Sequence, residues 1–116
     1  MIRPVIQPPH LRASENAFDR LLERLRLFKA RLKPGYALLV LLHANGEQFH
    51  VSSFFYRNPA TLIFLCLGDD DEEIEVVLDY SVAVVSFRSA PVDTPEAKNF
   101  GFDLNKTDTR QNDQPK

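Results

Sequence analysis

The hydrophobic period of this chain changes once, at Pro34-Gly35, from that of a helix to that of strands, and it stays at two through residue 89. Before the break, Ala17, Phe18, Leu21, Leu22, Leu25, Phe28 and Leu32 form one stripe at helical spacing. This predicts an amphipathic helix over 14–33, with Ser14 as N-cap and Pro34-Gly35 as the stop signal. After the break, alternation predicts five short strands at 36–43, 47–56, 61–67, 73–79 and 82–88. One helix and then five strands define an α+β, mainly β fold. The expectation is an N-terminal amphipathic helix followed by a five-stranded, strongly bent antiparallel sheet that closes into a small barrel.

Asn45-Gly46 is a type I′ turn signal and sets the register of the first hairpin. Leu42 then faces Phe49, Val40 faces Val51 and Tyr36 faces Phe55. The opposite face pairs His43 with Gln48, Leu41 with His50 and Leu39 with Ser52. Strands three to five carry apolar residues on both faces, as a closed barrel or a subunit interface requires. The flanks are different. Residues 1–13 contain three prolines and read as an extended arm, with Val5 and Ile6 free to dock on the body. Residues 14–104 make a single domain. Within it, Phe100, Phe102 and Leu104 alternate as an edge strand would. Residues 105–116 are polar and read as a disordered tail.

With 116 residues the chain is one domain whose core is marginal, so self-association is a ready way to bury more apolar surface. Its single cysteine, Cys66, rules out an internal disulfide and lies in a strand-like run. The longest wholly apolar run, 36–42, is too short to span a bilayer, and the N-terminus lacks a secretory h-region. A soluble, cytoplasmic protein with no membrane association is expected. Charge is unevenly placed: residues 1–33 hold eight Lys/Arg and three acids, and the rest hold six bases and thirteen acids, giving +5 and −7 for the overall −2. This pattern points to an acidic partner for the helix or to complementary self-association.

A helix, five strands, a tight first hairpin with Asn45-Gly46, and only Tyr80-Ser81 before Val82-Ala83-Val84-Val85 together resemble the Sm-like fold over about residues 15–89. The chain departs from that family at Val51, where a glycine is expected, at Arg57, where an aspartate is expected, and at Asp79-Tyr80-Ser81, which replaces a basic or histidine-bearing segment. The stretches 58–64 and 99–102 also resemble a small bacterial family of unknown function, which implies no activity. The Sm-like resemblance implies a homo-oligomer binding RNA or a small nucleotide at Tyr56, Arg57 and Asn58 with Asp79, Tyr80 and Ser81. There an aromatic ring stacks on a base and a guanidinium meets phosphate. The same residues also read as ordinary turns, with Asn58-Pro59 as punctuation.

Arg20, Arg24, Arg26, Lys29, Arg31 and Lys33 surround the helix and suit a solvated face, a grip on phosphate or an anionic membrane, or a protein partner. The acidic run 69–73 lacks the spacing of a calcium loop and reads as a charged hairpin tip. His43 and His50 share one hairpin face, but no metal spacing joins them to Cys66. No nucleophile elbow or phosphate loop is present, and no cofactor is implied. The expectation is a non-enzymatic binding module; the alternative is a protein-interaction or adaptor domain without a nucleic-acid role.

Overall fold

The computed structural model describes residues 9–104. The arm residues 1–8 and the tail 105–116 lie outside the described residues. A 3-10 turn over Pro9–Arg12, part of the segment expected to be extended, leads directly into helix α1, Ala13–Ala30. Ser14 is therefore not the cap. Arg12 holds that position without a side-chain cap, and Ser14 sits buried in the first turn. The helix stops before its apolar stripe does. The Arg31 and Leu32 amides bond to the Phe28 and Lys29 carbonyls, and a hydrogen-bonded turn from Lys33 to Tyr36 then redirects the chain.

The five strands are β1 (Tyr36–Ala44), β2 (Glu47–Arg57), β3 (Thr61–Leu67), β4 (Glu73–Asp79) and β5 (Val84–Pro91). They form one antiparallel sheet in the order β4-β3-β2-β1-β5. Asn45 and Gly46 both have positive φ, as a type I′ turn requires. The rungs Leu42–Phe49, His43–Gln48 and Leu41–His50 stand as expected. The Val40–Val51, Leu39–Ser52 and Tyr36–Phe55 rungs do not appear in the ladder. A bulge between Val51 and Ser53 re-aims β2 toward β3, while β1 pairs along its length with β5, from Tyr36–Pro91 to His43–Val84.

The sheet does not close into a barrel. Among the described residues, β4 bonds only to β3 and β5 only to β1, so both remain edges there. The expected two-sided burial also fails at β4, where Glu73, Glu75, Val77 and Asp79 are exposed and alternate with half-buried Ile74, Val76 and Leu78.

α1 covers one face of the sheet. Its Phe18, Leu22 and Leu25 pack in one core with Leu38, Val40, Leu42, Phe54 and Phe64. A shorter helix, α2 (Pro95–Phe100), covers part of the other face, where Leu39 packs with Ala90 and Ala97. Cover on both sides explains why Leu38, Leu39, Val40, Leu41 and Leu42 are all buried. No edge strand forms at Phe100, Phe102 and Leu104. Thr94 caps α2 by accepting from the Ala97 amide at 3.3 Å, and Pro95 suits the first helical position. Where β2 has left β1, the Phe102 amide donates to the Leu38 carbonyl at 2.8 Å, and the Phe102 ring enters the core beside Phe54, centroids 6.2 Å apart.

Candidate functional site

The β2–β3 turn, the start of α1 and the 3-10 turn Tyr80–Val82 meet at one end of the sheet. An α-helix begins with amides that lack intrahelical partners, and here the turn supplies them. The Pro59 carbonyl accepts from the Ser14 amide at 2.9 Å, and Asn58 Oδ1 from the Glu15 amide at 3.3 Å. Ser14 Oγ lies 2.8 Å from the Arg57 carbonyl and 3.0 Å from Asn58 Oδ1, so its one proton serves two acceptors. Asn58 Nδ2 donates to Glu15 at 3.2 Å. The Glu15 carboxyl is held below its ordinary value, first by hydrogen bonding from Arg12 and then by Asn58.

Each residue of the predicted site can now be placed. Tyr56 is half-buried against α1, its ring 5.1 Å from that of Phe18. Arg57 is exposed, and as the next residue along the strand it belongs to the opposite face. Arg57, Thr61 and Asp79 share one rung across β2, β3 and β4, which sets Arg57 and Asp79 about 10 Å apart. Asn58 is engaged by the helix. The Asp79 carboxylate accepts from the hydroxyl and the amide of Ser81, and both bonds depress its pKa. The Tyr80 amide donates to the Ala60 carbonyl at 2.8 Å, and its half-buried ring packs against the core. The six residues are thus neighbours, but Tyr56 and Arg57 address different faces.

On the α2 face, His50 Nε2 lies 3.1 Å from Glu96 Oε2, and Arg88 bonds the same carboxylate at 3.2 and 3.3 Å. A carboxylate only accepts, so His50 Nε2 carries the proton of this bond. The His50 bond, and secondarily the Arg88 charge, depress the Glu96 carboxyl against an opposing desolvation. The Phe100 ring stacks on His50 at 3.9 Å, and His43 Nε2 lies 2.9 Å from Ser86 Oγ. Cys66 is buried in the other core, where desolvation pushes its thiol up to about 11. The histidines and the cysteine therefore do not meet, and the described residues hold no group of three metal-ligating side chains.

A pocket of about 290 Å³ opens away from these loops, between the end of α1 and the start of β1. Phe28, Arg31, Leu32, Lys33, Tyr36 and Ser89 line it. Sequence reasoning took the two bases with the rest of the basic helix, as a solvated face or a grip on phosphate, and Tyr36 as strand. The turn that joins them carried the missing signal.

The described residues thus define a helix-capped, open-edged antiparallel sheet with polar loop clusters, and none of their helices is long and apolar enough to cross a membrane. No family model, curated protein or solved structure matches the chain.

Proposed function

We propose that the chain is a subunit of a non-enzymatic, Sm-like binding module that self-associates through its sheet edges and takes RNA or a nucleotide. The observation that carries this reading is the pair of sheet edges left unpaired among the described residues, β4 of seven residues and β5 of eight. A strand edge offers a row of backbone donors and acceptors to another chain. Val77 on β4, Val82 before β5 and Val84 on β5 add exposed apolar surface at 57%, 58% and 59%. Pairing β4 of one copy with β5 of the next makes a head-to-tail contact, which forms a ring when the rotation closes. The element order of helix, five strands and a single 3-10 turn before the last strand supports the Sm-like likeness.

The ligand contacts assigned to this module are Arg57 for phosphate and the Tyr80 end of the same cluster, with Tyr56, Asn58, Asp79 and Ser81 holding the loops in place. A salt-titrated filter-binding assay with short single-stranded RNA tests the reading. Affinity is expected to fall steeply as salt rises, and Arg57→Ala to weaken binding and lower the salt slope by about one unit. Absence of binding at every salt concentration contradicts it. That result favours a protein-adaptor role through the exposed bases of α1 and the residue just after it, Arg20, Arg24 and Arg31.

A further inference from the structure

We propose that the pocket at the end of α1 is a second binding site, which takes a planar base on Tyr36 and its phosphate between Arg31 and Lys33. The inference shares its ligand class with the proposed function but rests on different residues at a different place in the fold.

Three observations carry it. First, the turn holds the backbones of Lys33 and Tyr36 close together. The Tyr36 amide donates to the Lys33 carbonyl at 3.1 Å, and Gly35 between them has φ +86°. Pro then Gly with positive φ at the two central positions is the arrangement of a type II turn. The Val92 amide donates to the Gly35 carbonyl at 2.9 Å and ties the turn to the chain beyond β5. The backbone positions of Lys33 and Tyr36 are therefore set before any ligand arrives, which lowers the ordering cost of binding.

Second, Tyr36 is 41% exposed at the first position of a strand whose next residues run straight into the core. Phe28 beside it is half-buried against Phe87, centroids 5.8 Å apart. One ring is thus committed to packing and the other is left at the surface, where a base can stack.

Third, the pocket lining is basic. Residues 24–33 carry five bases and no acid, and none of the six lining residues is acidic. The end of a helix carries about half a negative charge, which opposes an anion. Arg31 and Lys33 bring two full positive charges to the same place and outweigh it. Ser89, on the rung with Leu38, adds a hydroxyl to the lining. A volume of about 290 Å³ lies at the lower end of small-ligand pockets. The pocket therefore has room for no more than a single nucleotide unit, whether free or part of an RNA strand.

Amide NMR titration of the full chain with adenosine monophosphate, inorganic phosphate and a short oligoadenylate tests the site. Adenosine monophosphate is expected to shift the amides of Arg31, Lys33, Tyr36 and Ser89, and inorganic phosphate to bind more weakly at the same place. Tyr36→Ala is expected to weaken the nucleotide about fivefold or more, Tyr36→Phe to retain it, and Lys33→Ala to weaken both probes. Oligoadenylate binding tighter than the monophosphate identifies an RNA strand as the source, and equal affinity identifies a free nucleotide; either supports the site. No shift in this segment, or undiminished affinity in folded Tyr36→Ala, overturns it. An Arg57→Ala loss without any Lys33 or Tyr36 effect upholds the loop cluster and overturns this pocket. The converse upholds the pocket and removes the loop cluster.

Discussion

Asn58 does the work that Arg12, at the cap position of α1, does not. Its side chain accepts from a helix amide more than forty residues earlier in the chain and also donates to Glu15. Asn58→Ala should cost about 1 kcal/mol, read from the urea midpoint at unchanged slope. The Glu96 carboxyl gives a pH prediction. Its folded pKa lies below the ordinary 4.5, so its contribution is present above that value and is lost as pH falls through the folded pKa. The stability gap between the native chain and Glu96→Gln should shrink as pH falls below about 4.5. Cys66, buried with a raised pKa, should resist thiol reagents in the native protein and react once urea unfolds it. Residue-level sequence reading reached the tight turn and three rungs above it, because a two-residue loop dictates local register. It missed the roles of Ser14 and Asn58, whose partners are 43 and 44 residues away.

Among the elements, α1 and the five strands follow from periodicity, and β3 and β4 have the expected bounds. Leu25 is fully buried at the middle of the helix stripe. Leu25→Ala should lower stability by roughly 2–5 kcal/mol in urea denaturation, and a negligible loss would contradict the packing of α1 on the sheet. The segment after β5 was misread for a physical reason. Phe100, Phe102 and Leu104 have the period of a strand, yet Thr94-Pro95 starts a helix, and the aromatics go to separate places: Phe100 to His50 and Phe102 to the main core. Gly101 makes that passage close, since a Cβ there would lie 2.8 Å from the Ala97 carbonyl oxygen. Gly101→Ala should displace the end of α2, and faster amide exchange at Phe102 would report it.

For the whole molecule, the decisive feature is that the sheet stays open. The sequence shows apolar residues on both sides of its strands, and closure into a barrel is one way to bury them. The bulge in β2, the pairing of β5 with β1 and the short α2 bury β1 on both faces without closure, and leave β4 and β5 as edges. Long-range pairing of this kind depends on where β2 parts from β1, which local period does not encode. The candidate loop cluster was legible as a neighbourhood, because turns between adjacent strands must lie at sheet ends. Its division between two faces was not. The uneven charge fits the open sheet as well, with acidic β4 residues on one edge and basic α1 on the body. Native mass spectrometry at micromolar concentration tests the central claim, edge-to-edge self-association, most directly. The native chain should appear as a closed multiple of its 13.3 kDa mass, and Val77→Asp with Val84→Asp should reduce it to a folded monomer. A native chain that is strictly monomeric under these conditions would contradict the account.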